Sequence, residues 1–520
     1  MTSLRKDPNA VPTTGGRVSL LTALDDVRKE ATARLDPRSR AQLGQFLTPS
    51  PVAAFMAEMF RSSRSEFRVL DPGAGAGSLC AALVLALCQR PTRPASIAVT
   101  AYEIDPLLVG YLRQTLDQCK AECESFAITF QARLMDRDFL EAGAHGLAGN
   151  LYGTGESERF DCAILNPPYR KIRTESRERS LLRSIGLETT NLYAGFVGVA
   201  ARLLAPGGEM VAITPRSFCN GPYFEPFRRH FLREMRFRRV HLFDARDKAF
   251  GDDKVLQENI IFHAIKNTEA NPQVVVSASA EPGAKLRTRT IAHNELIHPR
   301  DRQAVIHVAP EKDGKLTRDQ LRGLGGTLAD LGLTVSTGRV VDFRARDLLR
   351  AQPGENTVPL IYPCHFKQGY VEWPNGKTRK PNDLALGPRA GELVVSEGHY
   401  VLIKRFSSKE ERRRIVAAIY DPTRVSAAQV AFENHLNYFH ERGFGLPATL
   451  AKGLAAYLNS SPVDTYFRQF SGHTQVNASD LRSLPYPTRS ALTVLGRRIG
   501  STLPGQEELD CLVDEVLFGG

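Results

Sequence analysis

From Phe67 to Phe243, short apolar runs alternate with helical stretches, and this alternation limits the chain to very few architectures. The runs are Phe67–Leu70, Ile97–Tyr102, Ile128–Arg133, Cys162–Leu165, Met210–Thr214 and Val240–Phe243. Runs this short read as strands, and the helices between most of them allow the crossovers that parallel pairing requires. The pattern predicts an α/β fold with a largely parallel sheet. Another run, Ile260–Ile265, lies close enough to Phe243 for a hairpin at the sheet edge. Ligands of open α/β sheets bind outside the carboxyl ends of the strands. The residues that follow each run are therefore the first candidates for chemistry.

The first run leads into Asp71-Pro72-Gly73-Ala74-Gly75-Ala76-Gly77 and then a helical stretch. Glycines let the backbone turn tightly and approach a ligand, and the next helix offers free N–H groups. The spacing departs from the Gly-x-Gly-x-x-Gly of dinucleotide sites, and the Lys-Ser/Thr of a P-loop is missing. Glu103 ends the second run, where an acid can accept both hydroxyls of a ribose. Asp138-Phe139 follows the third, where a carboxylate can bind an adenine amine beside an apolar wall. Asn166-Pro167-Pro168-Tyr169 follows the fourth. Here an amide side chain and a proline-stiffened carbonyl provide acceptors beside an aromatic face. An exocyclic amine such as that of adenine is a poor nucleophile, because its lone pair is delocalised into the ring. Two acceptors that hold its hydrogens out of the ring plane favour the tetrahedral geometry of attack, which is electrostatic preorganisation. Each feature alone has a plainer reading: a turn, a surface acid or a helix cap. Their order at successive strand ends reads as S-adenosylmethionine binding followed by methyl transfer.

At 520 residues the chain is too long for one ordinary core. Residues 1–43 read as an N-terminal helical arm, with an amphipathic stretch at Val18–Leu35 limited by Pro37. Residues 44–266 read as the catalytic domain. After a linker at Asn267–Pro272, residues 273–500 form a separate, irregular α+β domain punctuated by Pro359, Pro363, Pro374 and Pro381. Residues 501–520, with five acids and no base, read as an acidic tail. The net charge of +11 is unevenly placed: residues 161–250 carry 16 Lys/Arg against 9 Asp/Glu, and residues 401–500 carry 14 against 7. Two such regions could wall a cleft for a polyanion, although basic runs are usually solvated faces. The eight cysteines form no disulfide framework. Cys119 and Cys123 share a helix face without a second pair or a histidine cluster, so packed thiols are expected and no metal site. With no membrane-length apolar segment and no secretory signal, a cytoplasmic protein is expected.

In combination these motifs resemble those of the gamma-class adenine-N6 DNA methyltransferases of type II restriction–modification systems, and in particular the PstI- and BsuBI-related methylases. Gly44-Gln45-Phe46-Leu47-Thr48-Pro49 is similar to the family's N-terminal cofactor motif. Asn191-Leu192-Tyr193 and Leu203-Leu204-Ala205-Pro206-Gly207-Gly208 continue the likeness, which covers roughly the first half of the chain. It implies a Rossmann-like S-adenosylmethionine-dependent methyltransferase domain followed by a target-recognition domain. It also implies S-adenosyl-L-methionine as cofactor, held by Thr48, Asp71, Gly73, Gly75, Glu103, Ile104, Asp138 and Phe139, with Thr48 on the methionine carboxylate. Asn166 and Pro167 would accept the two hydrogens of adenine N6. Tyr169 and Phe250 would stack on the flipped base, although Gly251–Asn259, just after Phe250, matches the family loosely. Double-stranded DNA is the implied partner, together with a separate cognate restriction endonuclease acting on the same site.

DNA contacts are expected from Lys367–Lys380, Lys404, Arg405 and Arg412–Arg414. His473–Leu481, ahead of Leu484-Pro485-Tyr486-Pro487, reads as an architectural segment in which Asn477 or Ser479 caps the next helix. Other readings remain. N4-cytosine methylation uses the same amine activation, although such enzymes more often carry serine in place of Asn166. Methylation of a protein glutamine would not need two basic regions. A non-catalytic DNA-recognition protein would not need the intact constellation. A combined restriction–modification enzyme usually carries a Glu-x-Lys nuclease signature, and this sequence has none.

Overall fold

The computed structural model describes residues 15–36, 44, 46–151, 158–243, 259–266, 273–299, 301, 303–308, 320–321, 323–376, 378–407, 411–471 and 475–519. The chain forms two compact units, 1–219 with 223–310, and 311–520 with 220–222.

The first unit is built on a nine-stranded sheet. Its strands are β1 (Glu66–Pro72), β2 (Ser96–Tyr102), β3 (Thr129–Met135), β4 (Phe160–Leu165), β5 (Leu204–Pro215), β6 (Met235–Phe243), β7 (Asn259–Lys266), β8 (Gln273–Ser279) and β9 (Arg287–Ala292). They lie in the order β3-β2-β1-β4-β5-β7-β6-β8-β9. β1 to β5 are parallel, and β7 is inserted antiparallel between β5 and β6. The helices are α1 (Gly15–Arg34), α2 (Ser50–Ala57), α3 (Ser78–Cys88), α4 (Pro106–Ser125), α5 (Phe139–Leu151), α6 (Arg177–Ser184), α7 (Leu192–Leu203) and α8 (Glu225–Glu234).

β4 is buried along its whole length; apart from Asp161, which pairs with Arg68 at 3.0 Å, it reads as an apolar run. Successive strand residues point to opposite faces. Cys162 and Ile164 pack with α2, α3 and α4 in one core layer, and Ala163 and Leu165 pack with α5, α6 and α7 in the other. Helices on both faces satisfy the sheet, so chemistry is left to its ends. This is the expected α/β class.

Two boundaries differ from those read in the sequence. β8 pairs parallel with β6, and β9 pairs with β8, so the first sheet continues past residue 266 and its unit reaches 310. Val274, Val276 and Ala278 are buried, so these strands complete the same core. The β6–β7 pair is accordingly internal to the sheet and not at its edge. Residues 501–520 also depart from a free tail. Gln506–Leu517 is a helix with Leu509 and Val513 buried. Glu507 and Glu508 occupy its first turn, where acids complement the helix dipole. Asp510 accepts the Ser461 backbone N–H at 2.7 Å.

The second unit carries a six-stranded and a five-stranded sheet of short strands between Thr334 and His440, followed by helices. Two of these, Ala448–Leu458 and Arg489–Arg497, cross in close contact. A Cβ at Gly453 would fall 1.8 Å from the Leu492 carbonyl oxygen, and one at Gly496 would fall 1.8 Å from that of Thr449. No described helix is long and apolar enough to cross a membrane.

Candidate active site

The strand order reverses between β1 and β4, with β2 and β3 on one side and β5 on the other. Loops leaving these two strands diverge and open a crevice. Register brings the strand ends level: Pro72 pairs with Tyr102, Tyr102 with Met135, and Leu70 with Ala163. The crevice has about 810 Å³ of empty space including its open mouth. Its lining includes Gly73, Gly75, Glu103, Ile104, Asp138 and Phe139, together with Asn166 and Pro168. Four separate sequence motifs thus meet in one place.

The glycine loop is tied to the end of β2. Gly73 and Ala74 donate their N–H groups to the Tyr102 carbonyl at 2.9 and 2.8 Å. Gly75 donates to Glu103 Oε2 at 2.8 Å, while Glu103 Oε1 accepts from Ile104 and Asp105, each at 2.8 Å. Burial pushes the Glu103 carboxyl above its ordinary range, against the pull of these three donors. Gly75 has φ +58°, and a Cβ there would lie 2.7 Å from Leu47 Cδ2. The left-handed turn favours glycine, and a side chain there would displace the end of Leu47. Phe139 is buried among rings, with centroids 5.2 Å from Tyr102 and 5.3 Å from Phe196. Asp138 Oδ1 accepts the Glu141 N–H at 3.1 Å, so this residue caps α5 and also lines the crevice.

Asn166 is held by its nitrogen. Nδ2 donates to the Phe46 carbonyl at 2.7 Å and to Thr48 Oγ1 at 3.0 Å. A carbonyl oxygen can only accept, so the amide nitrogen must face Phe46. Oδ1 is buried and has no hydrogen-bond partner. An unpartnered buried acceptor is costly and calls for an explanation in function or strain. Pro167 is buried, and Tyr169 is half-buried. The Tyr169 ring lies 5.7 Å from Phe46 and 6.3 Å from Tyr193, and its hydroxyl donates to the Ile213 carbonyl at 3.4 Å. Desolvation pushes this phenol well above its ordinary range, so it remains a neutral aromatic surface.

Of the expected site residues, Thr48, Asp71, Pro167 and Tyr169 do not line the crevice. Thr48 Oγ1 accepts from Asn166 Nδ2. Asp71 stands behind the glycine loop, where Oδ2 accepts the Cys80 N–H in the first turn of α3 at 3.2 Å. Burial pushes its carboxyl up to about 7. Phe250 lies outside the described residues. Among the described residues, no cluster of His, Cys, Asp or Glu could hold a metal ion.

The family model described as Eco57I restriction-modification methylase matches residues 106–250. Over 501 residues the chain is 41% identical to the type II methyltransferase M.PstI of Providencia stuartii, covering 96% of this chain and 98% of that one. This chain belongs to the type II methyltransferases of restriction–modification systems. The type II methyltransferase M.BsuBI of Bacillus subtilis is likewise 41% identical over 485 residues, 92% of this chain and 95% of that one. Among solved structures, the type IIL restriction-modification enzyme MmeI in complex with DNA aligns with a TM-score of 0.52. That alignment covers 98% of this chain and 75% of that one at 12% identity, a likeness of fold alone.

Several residues of this methyltransferase's crevice are not marked by the sequence pattern. Phe46 and Leu47 lie within the Gly44–Pro49 motif, but Arg137, Arg170, Glu178 and Phe196 belong to none of the expected site residues. Phe196 follows Leu192 by one helical turn on α7, a spacing that could have flagged it. The basic residues of the second unit separate by environment. Lys404 pairs with Glu411 at 2.9 Å, and Arg405 donates to the Asn434 carbonyl at 2.6 Å. Arg414 is buried against Ser407 and Phe467, whereas Arg412 is exposed.

Proposed function

We propose that this protein transfers a methyl group from S-adenosyl-L-methionine to N6 of adenine at a specific site in double-stranded DNA, protecting it from a separate cognate endonuclease. One observation carries the reading: Asn166 presents a buried, unpartnered acceptor while its nitrogen is anchored behind it. Such an acceptor suits a planar amine whose hydrogens must be drawn out of the ring plane. The backbone oxygen of Pro167 is the second acceptor in this reading, and Tyr169 provides a face for the base.

The residues of the crevice fit the cofactor. Glu103 is a carboxylate placed for ribose hydroxyls, Phe139 gives an apolar wall for a purine, and Asp138 is an acceptor for its amine. Gly73 and Gly75 keep the floor free of side chains. The cofactor supplies a methyl group already activated by its sulfonium, so the protein need only orient the acceptor amine and exclude water. Because adenine N6 lies within the duplex, the base must be flipped out at a cost of a few kcal/mol. Stacking on Tyr169, worth roughly 1–3 kcal/mol per base, offsets part of that cost. Relatives named as type II methyltransferases, matched over nearly their whole length, support the reading.

The test is Asn166→Ala. Methylation of duplex DNA should fall by at least about 100-fold, while calorimetry shows cofactor binding within about twofold of wild type, as for loss of a transition-state contact. Unchanged turnover would refute the assignment.

A further inference from the structure

We propose that Tyr223 stacks into duplex DNA beside the target adenine, filling the place that the base leaves as it turns out of the helix. The inference rests on the adenine-N6 reading and extends it to how the duplex is held open.

β5 flanks β4 on the side away from β1 to β3 and runs parallel to it, with Leu165 paired to Ala212. The turn that follows β5 therefore stands beside the one that carries Asn166 to Tyr169, at the same end of the sheet. An aromatic series joins the two turns. The Tyr169 ring lies 6.3 Å from Tyr193, and Tyr193 lies 5.7 Å from Phe224. Tyr223 is the residue before Phe224 in a short 3-10 turn. Tyr169, Tyr193 and Phe224 stand outside the crevice lining, so the series leads from the catalytic turn to the surface by another route. Phe224 is buried, whereas Tyr223 is 74% exposed, the most exposed large apolar side chain among the described residues. The chain around it is pinned. Arg216 donates to the Val308 carbonyl at 3.0 Å, Arg228 donates to the Phe218 carbonyl at 3.1 Å, and the Cys219 carbonyl accepts the Ile306 N–H at 2.8 Å. A large ring held in water on a fixed turn gains by being covered. Duplex DNA is the partner that its setting favours, because residues 161–250 carry 16 Lys/Arg against 9 Asp/Glu. A base that leaves the stack exposes its neighbours, and a side chain inserted in its place recovers part of that cost. Tyr169 then holds the extruded adenine and Tyr223 its former neighbours.

Tyr223→Ala removes the ring and Tyr223→Phe keeps it. The site is first mapped from DNA methylated in expressing cells, then made as a duplex oligonucleotide in two forms. One is fully paired, and the other has an abasic position opposite the target adenine. With saturating full-length protein and S-adenosylmethionine, the single-turnover rate on the paired duplex should fall at least about tenfold in Tyr223→Ala, the scale of one lost stacking contact. It should stay within about threefold of wild type in Tyr223→Phe. On the abasic duplex, where the adenine is already unpaired, Tyr223→Ala should recover to within about threefold of wild type. The dissociation constant for S-adenosylmethionine, measured by calorimetry, should stay within about twofold in both variants, and thermal unfolding checks that each is folded. Equal losses on the two duplexes would place Tyr223 in some other step and overturn the proposal. So would an unchanged rate of Tyr223→Ala on the paired duplex. The underlying adenine reading fails separately, if wild-type protein yields no N6-methyladenine.

Discussion

The carbonyl of Gly44 accepts the N–H of Tyr169 at 3.0 Å, and a Cβ on Gly44 would lie 2.9 Å from the Tyr169 backbone nitrogen and carbonyl carbon. Two segments far apart in sequence are thus in main-chain contact, with no room for a side chain between them. Gly44 also has φ +67°, where an L-residue is strained. Gly44→Ala should lower the methylation rate by at least about tenfold and cost roughly 1–3 kcal/mol of stability. Gly110→Ala is the control. That glycine is in α4, exposed, with open space where a Cβ would stand, so alanine there should stabilise by up to about 1 kcal/mol. Thermal unfolding and a methylation assay on both variants check the contrast.

Glu103 accepts three backbone N–H groups, one from the glycine loop and two from its own turn. Glu103→Ala removes the brace for Gly75 and the proposed ribose acceptor together. The dissociation constant for S-adenosylmethionine, read by calorimetry, should rise at least about tenfold, equivalent to roughly 1.4 kcal/mol. An unchanged constant would remove Glu103 from the site.

Asp71 gives a pH dependence whose sign can be worked out. Its carboxyl is pushed up to about 7 by burial, whereas in the unfolded chain it titrates near about 4. Between these values the native protein retains a proton that the unfolded chain has released, so stability falls as pH rises through this window. Asp71→Asn removes this titration. Unfolding midpoints of the two proteins measured from pH 5 to 8 should diverge, with wild type losing stability relative to the variant as pH rises. Parallel curves would contradict the shift.

How far the sequence alone reaches depends on whether a feature is local. The strand ends carrying Gly73, Glu103, Asp138 and Asn166 were legible because each follows its own apolar run. Sheet order then gathers them. The bond between Thr48 and Asn166 joins residues on distant segments, and nothing in either segment marks the other. β8 escaped because Asn267–Pro272 resembles a domain linker, and only pairing with β6 shows that the sheet continues. Arg405, Arg412 and Arg414 look alike in a basic run, but packing against Asn434 or Phe467 is a tertiary fact.

That difference has a consequence for DNA binding. Arg412 is exposed, whereas Arg405 is half-buried and committed to the Asn434 carbonyl. If Arg412 contacts a phosphate, Arg412→Ala should weaken binding similarly for all sequences and reduce the slope of log K against log salt by about 0.9. Arg405→Ala should instead lower thermal stability. Fluorescence anisotropy across a salt series separates the two effects.

The chemical identity of the product distinguishes adenine-N6 transfer from every other outcome. Purified protein should be incubated with duplex DNA and methyl-labelled S-adenosylmethionine, and the DNA digested to nucleosides for mass spectrometry. The label is expected in N6-methyladenosine of the deoxy series, and should be lost in Asn166→Ala. Label in N4-methylcytosine, or in protein with none in DNA, would contradict adenine-N6 transfer.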